Sequence, residues 1–302
     1  RQENDLVHIT LDVWQDKVYY LGKEYPAGYF AAGVLNVSHN LFVTITGEGG
    51  FLLDAYAIAK FGDREQLEEL LPVLWESVEN MLRSLRQVPP FSLWNMEAEL
   101  GKMKAMLSKD RIDQLLDNPE EKMWFLAYLR AGILLPISIY HFVIAAWHLE
   151  TYYLHRLGKR DETHFAVAFH DFYHDPSTKE VLEKMFAPTI EPFDVNPRLR
   201  SSYTFARDPK DEKKMIFVNR VFFSSYMDFY VYDLLNGMHW GHAPSLCECC
   251  LKYFLTTDSH KPKYCDGMAP QNPHYTCRQY GAMNQQKEKN ANHPIYRIFK
   301  TR

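Results

Sequence analysis

The chain has 302 residues, enough for one large domain or two of ordinary size, and its 46% hydrophobic, 24% charged and 15% aromatic content is that of a soluble globular protein with a core rich in Phe and Tyr. The net charge of −4 excludes a general pull toward nucleic acid or an acidic membrane. The balance is uneven, however: residues 247–302 hold nine Lys/Arg against four Asp/Glu, a surplus of +5 that leaves −9 on the rest.

Three β-rich runs open the chain. "VHITLDVW" alternates, "KVYYL" follows a polar turn, and "LFVTI" ends near residue 45, so a small N-terminal β element is expected over 1–48. "TGEGG" (46–50) lacks the Lys-Ser/Thr of a phosphate cradle and reads as a turn into a helical body over 49–198. In "GDREQLEELLPVLWESVENMLRSLRQ", Asp63 followed by Gln66 is a capping signal, and the apolar residues fall at helical spacing. Pro72 is expected to kink or restart that helix. Further helices are expected at 95–107, 109–117, 119–134, 136–157, 161–174 and 177–186.

"AGILLPISIYHFVIAAWHL" (131–149) nearly has the length of a membrane span. Pro136, His141 and His148 within it instead predict a buried helix pair broken at Pro136, with no membrane partner. His141, His148 and His155 recur every seven residues and predict a polar seam. In "HFAVAFHDFYHD", His170 and His174 stand at i, i+4 and could share a metal, with Asp171 and Asp175 beside them. The plainer reading of both sets is structural.

"APTIEPFDVNPRLR" (187–200) reads as a linker or surface loop. A β-hairpin and an amphipathic helix follow over 199–241. Met227, Val231, Leu234, Leu235 and Met238 line one face of that helix.

All five cysteines lie in the remaining unit, 242–302. Their spacing is Cys247-x2-Cys250-x14-Cys265-x11-Cys277, with Cys249 inside the first arm. A CxxC turn presents two thiolates to one tetrahedral metal, and two further sulfurs close the shell, which describes a structural zinc. Cys249 is expected to be a free thiol pointing away from the metal. The wide last gap keeps His274, or His260, open as a replacement for one cysteine. The opening "RQENDL" lacks the basic-then-apolar pattern of a signal segment, and with all five thiols clustered a reducing, cytoplasmic location is expected.

"CECCLKYF", "KPKYC" and "TCRQYGA" together resemble the C-terminal module of an uncharacterised bacterial family of unknown function, over about residues 215–300. More distantly the chain is similar to the CGNR zinc-finger proteins, regulators with a helical body and a C-terminal finger, although the CGNR tetrapeptide is absent. The resemblance implies Cys247, Cys250, Cys265 and Cys277 as ligands, with Tyr253 and Phe254 packed beneath the turn.

The expected fold is α+β and mostly α, with a treble-clef-like or ribbon-like zinc module at its end. The leading functional expectation is a zinc-stabilised, non-enzymatic binding protein; its sharper form is a regulator that contacts nucleic acid through Lys252, Lys261, Lys263, Arg278, Lys287 and Lys289, with tyrosine rings stacking on bases. The bland reading makes those rings a small core and the lysines a solvated face. The alternatives are a protein-interaction protein with a purely structural zinc, and a metal-dependent hydrolase using His170 and His174.

Overall fold

The computed structural model describes residues 6–185, 197–208, 211–257 and 262–292. The fold is α+β and mostly helical. Three short strands open it, β1 (Ile9–Trp14), β2 (Lys17–Tyr20) and β3 (Lys23–Pro26). They are followed by the helices α1 (Tyr29–Val34), α2 (His39–Phe61), α3 (Arg64–Leu85), α4 (Met96–Met106), α5 (Ile112–Asp117), α6 (Pro119–Leu149), α7 (Glu162–His174) and α8 (Pro176–Met185). The long hairpin β4 (Leu199–Asp208) and β5 (Asp211–Phe223) comes next, then α9 (Tyr226–His239).

β5 returns to the N-terminus and pairs antiparallel with β1, so segments about 200 residues apart make one sheet in the order β3-β2-β1-β5-β4. Ile9 sits opposite Phe223 and Leu11 opposite Val221, all four buried in the main core. On the other face, Arg220 donates to both carboxylate oxygens of Asp12 at 2.6 and 2.7 Å. This bidentate geometry aligns the two strands.

Two sequence expectations are corrected here. The β element expected over 1–48 ends at Pro26, and "LFVTI" with "TGEGG" lies inside helix α2. Ser38 caps that helix by accepting from Leu41 N. Its buried residues Leu41, Phe42, Ile45, Gly49, Leu52, Ala55 and Ala59 recur at helical spacing. Packing against α3 and α6 overrides the β-branched local preference. Likewise α6 runs unbroken through Pro136. The proline ring is itself buried, and contacts of α6 with α2 and α9 hold the turn that its missing amide weakens. Pro72 is also carried within α3, whose Asp63 cap accepts from Gln66 N at 3.1 Å.

Helices α2 and α6 are long and apolar enough to cross a membrane by length and composition, and the most apolar window of α6 is 56% buried within the fold. A π-helical turn, Glu150–Leu154, follows α6. His141 of the expected seam is buried, His148 is half-buried, and His155 is exposed.

α9 crosses α1 backbone to backbone at two glycines. A Cβ added to Gly237 would lie 2.8 Å from Gly28 Cα, and Gly28 itself holds φ +87°. That approach carries Asp233 onto the start of α1. Its fully buried carboxylate accepts from Gly28 N at 3.0 Å and Ala31 N at 2.9 Å. Burial pushes the Asp233 carboxyl up to about 6 despite the backbone donors of Ala31, Gly28 and Phe30, which pull it down. A carboxyl raised in the folded state binds a proton that the unfolded chain has released, so its contribution is complete below the unfolded pKa of 3.8 and is lost as pH rises through about 6. Asp233→Asn is therefore expected to lose roughly 1–3 kcal/mol, because its amide cannot accept both N–H groups. It should also flatten the stability change between pH 4 and 6. Urea titrations across that window check both, and an unchanged slope would refute the assignment.

Candidate metal centre

The cysteine module is built from two small hairpins and a helix. β6 (Ala243–Leu246) pairs antiparallel with β7 (Tyr253–Thr256), and "CECCLK" is the turn between them. Cys247 N donates to Lys252 O at 2.9 Å and Leu251 N to Cys247 O at 3.0 Å. Leu251 takes φ +57°, a left-handed conformation that closes the turn.

The third arm comes alongside through Glu248 N, which donates to Lys263 O at 2.9 Å, and Cys265 N, which points at Cys247 Sγ at 3.4 Å. A second hairpin, β8 (Met268–Ala269) with β9 (Asn272–Thr276), leads into α10 (Cys277–Asn292). Thr276 and Gln279 form a reciprocal capping box: Gln279 N donates to Thr276 Oγ1 at 3.2 Å, and Thr276 N to Gln279 Oε1 at 2.9 Å. The box places Cys277 as the first residue of α10, and Cys277 N is fixed to Gly267 O at 2.7 Å. The order of turn, hairpin and helix is treble-clef-like.

The sulfurs of Cys247, Cys250, Cys265 and Cys277 all lie within 4.8 Å of one another. A tetrahedral zinc with Zn–S near 2.3 Å sets its sulfurs about 3.8 Å apart. Cys250 Sγ and Cys265 Sγ are 3.7 Å apart, which matches that edge and is far beyond a disulfide bond. The widest pair needs to close by only about 1 Å. Burial pushes the Cys247 thiol up, but backbone donors from Cys250, Cys265 and Cys249 outweigh it and bring it down to about 7. Burial, chiefly, raises Cys265 to about 11, and burial followed by neighbouring thiols raises Cys277 further. Four such thiols crowd together unfavourably as anions; a cation among them would deprotonate and bind them together.

Cys249 is held by Gln271, which accepts from its thiol at 3.3 Å and donates to its carbonyl at 3.1 Å. It still lies close enough to Cys277 to help raise that thiol, so it borders the cluster rather than pointing clear of it. His274 is exposed on β9 and stands outside the group, while His260 lies outside the described residues.

Behind the sulfurs, Phe254, Tyr264 and Tyr280 pack into a small core with Ala269. A Cβ on Gly281 would fall 2.4 Å from the Tyr264 ring, so the glycine of "CRQYGA" is what admits that ring against α10. Tyr253 belongs to the main core, and Tyr275 is exposed.

Of the cations, Lys263 pairs with Glu248 at 3.5 Å and Arg278 with Asp266 at 3.1 Å, both within the module. Lys252, Lys287 and Lys289 are exposed and make no ion pair among the described residues. Lys261 lies outside those residues.

The module is clamped to the body on both edges of its first hairpin. Asn36, just past α1, donates to Tyr253 O at 2.9 Å and accepts from Tyr253 N at 2.7 Å, as a neighbouring strand would. On the other side Arg160 donates to Pro244 O at 2.8 Å. Neither residue was singled out from the sequence, because a lone Asn and a lone Arg carry no pattern. The Thr276/Gln279 box, a T-x-x-Q before a helix, was a readable signal.

His170 and His174 do not assemble a site. Both are exposed, their rings stack at 4.2 Å, and His174 Nδ1 bonds the His170 carbonyl at 2.8 Å. Among the described residues no third ligand joins them. A nearby cleft holds His148, Tyr153, Asp171 and Asp175 instead. There Tyr153 donates to Asp175 at 2.5 Å, and Asp175 accepts from Ser177 N at 2.8 Å, which caps α8. Hydrogen bonds from Tyr153 and Ser177 hold the Asp175 carboxyl below its ordinary value.

A four-sulfur treble-clef-like module clamped to a helical body is thus the class of protein that the geometry defines. A model of a family of unknown function, DUF6076, matches residues 194–302. The matched unit takes in β4, β5 and α9 as well as the cysteines, and so starts upstream of the 215–300 span over which the resemblance was noted. No curated protein and no solved structure matches the chain.

Proposed function

We propose that this is a zinc-stabilised, non-enzymatic binding protein in which the metal is structural and fixes the C-terminal module on the helical body. The four sulfurs gathered within 4.8 Å carry the reading. They would fill a tetrahedral shell and leave no open position for water or substrate, which separates structural from catalytic zinc. The clamps at Asn36 and Arg160 support a rigid scaffold for a protein partner.

A second reading, nucleic-acid contact, rests on the exposed Lys252, Lys287 and Lys289. The likeness to CGNR regulators belongs to that reading. Against it, Tyr264 and Tyr280 are engaged in packing, and Lys263 and Arg278 are matched by acids.

Metal analysis of the purified chain is expected to give one zinc per chain, kept in Cys249→Ser and lost in Cys250→Ser. Loss in Cys249→Ser would make it a ligand, and metal-free wild type would sink the proposal. Retention of labelled single-stranded DNA or RNA at low salt, abolished when the three lysines become Glu, would move the assignment to the second reading. No retention would remove that reading.

A further inference from the structure

β4 forms the outer edge of the five-stranded sheet and pairs only with β5 among the described residues. β1 covers β5 only from Asn219 to Phe223. Beyond that point β4 and β5 continue as a two-stranded ribbon, an arrangement with little stability of its own in water. Register places Phe205 opposite Phe217 and Arg207 opposite Met215, with Tyr203 two residues from Phe205 on the same face. Tyr203, Phe205, Met215 and Phe217 are 83, 69, 56 and 77% exposed.

Alternation along the strand gives these residues the same face as the buried Val221 and Phe223. The ribbon therefore carries the core side of the sheet past the helices that cover it elsewhere. Edges that must stay unpaired are kept short or carry Lys or Pro. β4, "LRSSYTFARD", has ten residues and no Lys or Pro; its charges, Arg200, Arg207 and Asp208, and the register irregularity at Arg207/Asp208 stand near its ends, which leaves Ser201–Ala206 an uncharged edge.

We infer that β4 pairs with β4 of a second copy, antiparallel, about a two-fold axis at Thr204. That register sets Tyr203 opposite Phe205 of the second copy and Arg200 opposite its Asp208, twice each by symmetry, and Thr204 opposite itself. Aromatic pairs, opposite charges and Thr–Thr pairs are the cross-strand combinations that favour association. A slip of one residue sets Arg200 against Arg207 and turns the two sets of rings to opposite faces, so the strand's own sequence selects the register. The three rings, at ~150–250 Å² each when fully buried, offer a large part of the ~800 Å² per partner of a standard interface. The sheet then runs continuously through both copies, and each ribbon gains a third strand.

Sedimentation equilibrium of the full metal-loaded chain is expected to show a dimer. Arg200→Asp should raise its Kd by roughly tenfold, from two lost and reversed charge pairs. Asp208→Arg should do the same, and the double exchange should restore the wild-type Kd. Thr204→Cys in a Cys249→Ser background should cross-link to a dimer under mild oxidation, while Ser202→Cys should not. The cross-link keeps the test decisive should a charge variant fold poorly. A chain that stays monomeric at every concentration up to about 100 μM, far above the micromolar Kd of a modest interface, overturns the inference. So does a dimer whose Kd the charge exchange fails to restore, or one that Ser202→Cys cross-links as well as Thr204→Cys.

Discussion

Cys277→Ser, or chelation of the metal proposed for the cysteine cluster, is expected to unfold the β8–β9 hairpin and α10 while the helical body stays folded. The module's own core is small: Cys247, Ala269 and Cys277 are buried, with Phe254, Tyr264 and Tyr280 packed around them. Such a unit cannot offset the entropy of ordering some 40 residues by burial alone. A structural zinc contributes about 10–16 kcal/mol in comparable small domains, so its loss exceeds anything the remaining contacts supply. The body, by contrast, holds a continuous core from Leu6 to Ala243 that includes α9 and the sheet. The boundary of the loss should fall within the module, because β6 and β7 are held from outside by Arg160 and Asn36. Hydrogen exchange is the measurement: α10 and the β8–β9 hairpin lose protection, and α2, α3, α6 and α9 keep theirs. Unchanged protection in α10 after complete metal removal would show that the metal does not hold the module. Collapse of the whole chain would show that body and module fold as one unit.

The sequence carried the parts of this protein that repeat or cluster. The apolar period of α3, the cap at Asp63, and the four spaced cysteines each involve several residues that speak together. What escaped was set by distant partners. "LFVTI" has strand-like side chains, yet Leu41, Phe42 and Ile45 face α3 and α6, and only that packing makes them helical. Pro136 reads as a break because its local cost is visible and the burial that offsets it is not. Asp233 looks like one acid in an amphipathic helix, and its role as the cap of α1 depends on a segment 200 residues away. The pairing of β1 with β5 is invisible for the same reason. At the cysteine cluster, the spacing that gathers four sulfurs was legible, but the surroundings of Cys249 turn on Gln271, which no cysteine pattern names.

Arg160→Met is expected to be the most damaging single change away from the cysteines. Arg160 is 1% exposed, its guanidinium lies 5.5 Å over the Phe165 ring, and its Nε and Nη1 have no hydrogen-bond partner among the described residues. Burial pushes its pKa down, while the nearby Glu150 carboxylate pushes it back up. Glu150 is itself only 2% exposed. Removing Arg160 takes away the positive charge that acts on the buried Glu150, which then faces His155 Nδ1 at 3.9 Å, and also the bond to Pro244, at a combined cost of about 3–5 kcal/mol. The single bond from Arg160 to Pro244 O adds a second consequence, since that bond fixes one edge of the β6–β7 hairpin to the body. Urea titration should show the loss in stability, and hydrogen exchange should show Ala243–Leu246 opening first. Glu150→Gln combined with Arg160→Met should recover most of the loss, because a neutral pair leaves no buried charge. If Arg160→Met alone is as stable as the wild type, the charge pair is not what holds this joint. If the double variant is no better than the single one, the Pro244 bond is the dominant contribution, and the cysteine module is anchored by that hydrogen bond rather than by the charge of Arg160 acting on Glu150.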